Sequence, residues 1–224
     1  MTCDKSMYYA TYKSNKIDTF IRDEVKQAIF DNGGVAIGIL PTEDNINYCG
    51  DAWKDNLSIE EKDNLIAQLK LCDGVILQGG AETDNYESII AKYCYENDIQ
   101  ILGICAGQNN IARALGGTTH KIPNPEKHDK PFDEYVHSID IDKSSKFYEI
   151  VKTDRMQVNS RHKRTIKECP NLDKVAFCED CYHDVIESKN KTFYIGVRFY
   201  PESLYKIDEI HNRIFEAFVN ACKD

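Results

Sequence analysis

Short apolar runs alternate with amphipathic stretches along the first half of the chain. Val35-Ala36-Ile37-Gly38-Ile39-Leu40 ends at Pro41, Gly74-Val75-Ile76-Leu77-Gln78 is closed by Gly79-Gly80, and residues 99–104 make a third run. Continuous apolar runs of this length predict strands buried on both faces, as in a parallel sheet. Between them Ile17, Phe20, Ile21, Val25, Ala28 and Ile29 recur at helical spacing and stop at Asn32-Gly33-Gly34. Residues 59–71 and 86–95 follow the same period. Strand, helix, strand, helix predicts an α/β fold of three layers, α/β/α, around a mostly parallel sheet.

The second half is richer in strand signals. Residues 136–141 alternate, 175–177 and 185–186 flank an acidic turn at Glu179-Asp180, and 193–199 form a strong strand. Residues 207–222 predict a closing helix with Ile210, Ile214, Phe215 and Phe218 on one face. Residues 118–132 hold three prolines and much charge, which predicts a long surface loop that could act as a lid. Ahead of Ile17 only residues 8–12 resemble a strand, and weakly. With no repeat and no low-complexity linker, one domain over residues 1–224 is expected.

Composition narrows the class. The 224 residues carry 28 basic and 37 acidic side chains, a net charge of −9, with 42% apolar and 29% charged residues. That balance is globular, and no run approaches the roughly 20 apolar residues of a membrane span. The polar start begins no signal peptide, so a cytoplasmic protein is expected. The acidic balance argues against a nucleic-acid binder. Nine cysteines is an odd number and there is no secretion signal, so most are expected to be free thiols.

One of the nine stands apart. Gly103-Ile104-Cys105-Ala106-Gly107 follows a predicted buried strand and opens a helical segment. It is the thiol counterpart of the Gly-x-Ser-x-Gly elbow, in which a nucleophile sits on a strained turn and the glycines admit close backbone approach. The helix N-terminus favours thiolate, and the Ala106 amide is placed to donate to an oxyanion. Gly79-Gly80, at the end of the neighbouring strand, can present bare amides to the same crevice. Cys178-Glu179-Asp180-Cys181 is a lone Cys-x-x-Cys; without a second pair, no metal is expected.

Together these segments resemble the class I glutamine amidotransferase superfamily, in particular its gamma-glutamyl hydrolase branch of cysteine peptidases. The resemblance rests on 75–80, 101–107 and 112–118, on the loop Val158-Asn159-Ser160-Arg161-His162, on 175–180, and on Gly196-Val197-Arg198-Phe199-Tyr200-Pro201-Glu202. It implies hydrolysis of a gamma-glutamyl amide of a small amine through a Cys105 thioester, with no cofactor. It implies an oxyanion site at Gly79, Gly80 and Ala106, substrate contacts from Asn109, Asn159, Ser160 and Arg161, and a triad of Cys105, residue 200 and Glu202. Glu202 is expected to orient whatever occupies position 200. The family has histidine there; this chain has Tyr200.

A phenol with a pKa near 10 is only about 0.1% ionised at neutral pH, a poor base but a feasible acid. Slow turnover limited by deacylation is therefore expected, with His162 weighed as a substitute base. The basic run 161–164 could attract a glutamyl carboxylate. The alternatives are an impaired enzyme that only binds, and a glutaminase subunit of a separate synthetase. The expected partner is a small gamma-glutamyl substrate, with a homodimer left open.

Overall fold

The computed structural model describes residues 3–5, 8–11, 17–40, 55–80, 85–180 and 182–223. The first elements are β1 (Cys3–Lys5), β2 (Tyr8–Thr11), β3 (Ile17–Phe20), α1 (Asp23–Asp31) and α2 (Ile59–Leu69). Then come β4 (Gly74–Leu77), α3 (Asn85–Asn97), β5 (Gln100–Ile104), α4 (Ala106–Ala114) and β6 (Thr118–Lys121). A 3-10 turn at Pro125–His128 leads to β7 (His137–Ile141), α5 (Lys146–Val151), β8 (Arg155–Val158) and β9 (Arg164–Glu168). The chain finishes with β10 (Asp173–Cys178), β11 (His183–Glu187), β12 (Tyr194–Val197), a 3-10 turn at Pro201–Ser203 and α6 (Glu209–Ala221).

Eight strands form one sheet in the order β1-β4-β5-β12-β11-β10-β7-β8. The parallel core is β1-β4-β5-β12, of which β1 carried no signal in the sequence. Beyond β12 the sheet continues antiparallel through β8. Val25 and Ile29 of α1, Phe147 of α5, and Ile214, Phe215 and Phe218 of α6 pack on one face. Leu65 and Leu69 of α2, Ile90 and Cys94 of α3, and Ile111 of α4 pack on the other. Helices on both sides explain why β4 is buried at every position and shows no polar alternation. The fold is therefore α/β in three layers. No helix among the described residues is long and apolar enough to cross a membrane.

Several expectations are corrected. Residues 35–40 form no strand, and Val35 and Leu40 are 60% and 56% exposed. The sheet position beside β4 is taken by β1 instead. Residues 17–20 are not helical: β3 pairs antiparallel with β2, and α1 starts only at Asp23, with Asp23 and Glu24 in its first turn. The weak signal at 8–12 is β2, of which Tyr12 lies outside the described residues. Residues 118–132 are no free lid: β6 pairs with β9, and the Phe132 ring packs against Tyr200.

Candidate functional site

The ends of β4, β5 and β12 meet at one sheet edge, together with the end of β10 and the starts of β11 and β7. Cys105 sits there between β5 and α4 with φ 51° and ψ −101°. Positive φ in a residue with a side chain is strained, and such strain is held only where the surroundings fix it. The surroundings are close-packed backbone. A Cβ on Gly103 would lie 2.7 Å from the Gly107 carbonyl, and one on Gly107 would run into the Leu77 carbonyl oxygen. The two glycines of the elbow are thus what let α4 begin directly against β4 and β5.

Cys105 N donates to the Val197 carbonyl at 2.8 Å, which ties the elbow to β12. The Ala106 amide faces the sulfur. Burial raises the thiol above its ordinary value; the Arg198 charge and a hydrogen bond from Tyr200 pull the other way. That bond runs from Tyr200 Oη to Cys105 Sγ at 2.8 Å. The Arg161 carbonyl, 3.3 Å from Tyr200 Oη, is a second, longer acceptor for the same phenolic proton. Its backbone is clamped by Asn159, whose side chain accepts from Tyr200 N at 2.8 Å and donates to Tyr200 O at 2.9 Å. The tyrosine predicted beside the thiol is therefore in contact with it.

Two expectations fail on geometry. Glu202 does not orient Tyr200: neither carboxylate oxygen has a hydrogen-bond partner among the described residues, and Arg22 Nε lies 3.7 Å from Oε1. Burial pushes this carboxyl up to about 7, against the pull of Arg22. His162 makes no hydrogen bond to Cys105. Its Nδ1 lies 3.0 Å from the Arg164 carbonyl, its ring stands 4.8 Å from that of His128, and its Nε2 is without a partner among the described residues. Burial, helped by the Arg198 charge, pushes its pKa down to about 3, so it is a weak base.

The predicted contact residues divide. Gly79 and Gly80 leave β4 at this edge, and Gln78 Oε1 accepts from Arg22 N at 3.1 Å, pinning the start of α1 to that turn. Ser160 is buried, and its hydroxyl has no partner among the described residues. Asn159 is a clamp on Tyr200 rather than a free contact. Asn109 Oδ1 is held by Arg198 Nη2 at 2.8 Å. Arg161 is half exposed, 3.2 Å from Asp129, with its guanidinium over the Phe132 ring.

Sequence reasoning passed over three residues. Arg198 is fully buried, its Nη1 3.3 Å from the Cys105 carbonyl. Its signal was a charge inside an otherwise apolar strand end. Arg22 lies over the Phe132 ring at 4.4 Å and 5.7 Å from the Tyr200 ring centre. Phe132 meets Tyr200 edge to face at 4.7 Å. As a whole, the edge offers a strained thiol, amides beside it, a phenol in contact and three arginines. Such a set can hold a carbonyl whose oxygen gains negative charge, and a carboxylate nearby.

Comparison with known proteins fits this geometry. The Peptidase C26 family matches residues 81–202. One component of a glutamine-hydrolysing GMP synthase from Methanothermobacter thermautotrophicus is 30% identical over 152 residues, 67% of this chain and 75% of that component. A CTP synthase from Chlamydia muridarum is 27% identical over 204 residues, 73% of this chain but 36% of that enzyme. The chain thus spans about a third of the length of such CTP synthases. Among solved structures, a GMP synthase component from Thermoplasma acidophilum superposes with a TM-score of 0.68 at 17% identity, over 100% of this chain and 94% of that one.

Proposed function

The chain belongs to the Peptidase C26 family, and from that premise we propose that it hydrolyses a gamma-glutamyl amide through a Cys105 thioester. The hydrogen bond from Tyr200 to the Cys105 sulfur carries the reading. Sulfur attacks the amide carbon while the Ala106 and Gly80 amides hold the oxyanion. The thiol proton passes to the Tyr200 oxygen as the phenol gives its own to the leaving nitrogen. The C–N bond breaks, and ammonia or a small amine departs. Arg161 and its basic neighbours draw in the glutamyl carboxylate.

Tyr200 stands in this scheme for the family's histidine. Water attack on the thioester then lacks a good base, so deacylation limits turnover, about 10²–10⁴-fold below an imidazole-assisted rate. Mixing the protein with glutamine and weighing it intact should reveal a glutamyl adduct absent from Cys105→Ser. Tyr200→His should clear that adduct and raise turnover by the same factor. Fast wild-type turnover without an adduct would refute the deacylation limit. Activity found only in Tyr200→His would mark the natural chain as a binding scaffold.

The names of the relatives favour a second setting for the same chemistry, a glutaminase subunit that passes ammonia to a separate synthetase. In that setting free ammonia should bypass Cys105→Ser in the synthetic reaction.

A further inference from the structure

Further along the sheet edge, three adjacent strands converge. His137 opens β7, Cys178 closes β10, and Asp184 lies at the start of β11. Their donor atoms, one nitrogen, one sulfur and one oxygen, all lie within 4.8 Å of one another. His137 Nε2 is 3.4 Å from Asp184 Oδ1. Cys178 and Asp184 are buried, and the His137 side chain is 13% exposed. Asp184 Oδ2 and His137 Nδ1 have no hydrogen-bond partner among the described residues. Leaving such buried atoms unmatched costs about 1–3 kcal/mol each.

Two more imidazoles flank the group. The His128 ring lies 5.2 Å from that of His137 and 4.8 Å from that of His162. His128 Nδ1 and His162 Nε2 are likewise buried without a partner among the described residues. His162 Nδ1 is directed at the Arg164 carbonyl, the outer contact that fixes a ring with its Nε2 lone pair free.

We propose that His137, Cys178 and Asp184 bind a borderline divalent cation of the zinc class. A nitrogen, a thiolate and a carboxylate suit such a cation and not magnesium or calcium, which take oxygen shells. Binding replaces the Cys178 thiol proton, which leaves to solvent, and no electron is transferred. His128 is the neighbour that would supply a fourth ligand, and water the alternative. The site borders the thiol site without sharing a side chain with it. The Asp184 carbonyl accepts from Arg198 N at 2.7 Å and from Gln108 Nε2 at 3.2 Å, so a bound cation would brace the backbone behind Arg198. Sequence spacing hid the site, since the donors come from three separate strands; Cys181 lies outside the described residues.

The test is metal binding, independent of any hydrolysis. Chelator-stripped protein is titrated with Zn²⁺ by calorimetry and with Co²⁺ by absorbance. One saturable equivalent is expected, with a thiolate-to-cobalt charge-transfer band that persists in Cys105→Ser and disappears in Cys178→Ser. His137→Ala should weaken Zn²⁺ affinity by on the order of 100-fold or more. Zn²⁺ should also raise the wild-type thermal midpoint and leave that of His137→Ala unmoved. Failure of the folded wild type to take up either metal overturns the proposal. So does a cobalt band that survives Cys178→Ser or vanishes in Cys105→Ser. Should Cys178→Ser not fold, His137→Ala, changed at a partly exposed position, carries the comparison by the same affinity loss.

Discussion

An imidazole has two polar atoms on opposite sides of its ring, and a phenol has one. Tyr200 commits its hydroxyl to Cys105 and the Arg161 carbonyl, so nothing on it can meet Glu202. The carboxyl is left buried with a pKa of about 7, against about 4.3 in an unfolded chain. Below that unfolded value both states hold the proton and stability is unaffected. As pH rises towards about 7 the unfolded state loses its proton first, and folded stability falls, by on the order of 3 kcal/mol once both are ionised. Glu202→Gln should cancel that fall. In urea unfolding, its stability relative to wild type should rise by about 3 kcal/mol from pH 4.5 to 7.5. A pH-independent difference would mean that the carboxyl titrates as in water. At this scale Cys105 was legible from its motif spacing, and Tyr200 from the family resemblance. Arg198 was not, because a charge in a strand end ordinarily points to solvent and this one is buried against the elbow.

The elbow is a property of elements as much as of residues. α4 starts where it does because Gly107 lets its first turn touch the end of β4. Gly107→Ala should force those elements apart and destabilise the protein by about 3 kcal/mol, the upper range for overpacking. A shift in the urea midpoint with an unchanged slope would register it. β4 and β5 were readable as apolar runs without polar alternation, α3 and α6 by an apolar period over thirteen residues each. β8 has only four positions, alternately exposed and buried, too few for a period to declare itself. Residues 17–20 fitted a helical spacing by continuity with α1, and pairing with β2 decided otherwise. Residues 35–40 look like a strand by composition, yet the strand beside β4 is β1 and residues 35–40 form no strand.

For the whole molecule, the short β1 matters more than its three residues suggest. It covers the edge of β4, the strand that leads into the Gly79-Gly80 turn. A chain lacking residues 1–7 should expose that ladder, lose about 2 kcal/mol for two or three hydrogen bonds, and self-associate by edge pairing. Light scattering against concentration would detect the association, and a monodisperse variant of wild-type stability would refute it. Charge is organised at this scale too. The net charge is −9, yet Arg22, Arg161 and Arg198 gather around Tyr200 and Cys105. Two of these cations stand beside carboxylates, Arg22 3.7 Å from Glu202 and Arg161 3.2 Å from Asp129, while Arg198 is buried against the elbow. Neither the arginine group nor the His137, Cys178 and Asp184 group could be read from sequence, because the sheet order, not chain proximity, assembles them.

The contact between Tyr200 and Cys105 also bears on the protein between reactions. A thiol held neutral by burial and covered by a phenol offers little to passing oxidants or alkylating agents, which attack the thiolate. Reactivity is kept latent until a substrate enters and supplies the carbonyl. Under the proposed deacylation limit, slow turnover would go with durability: a sulfur shielded by the phenol while idle.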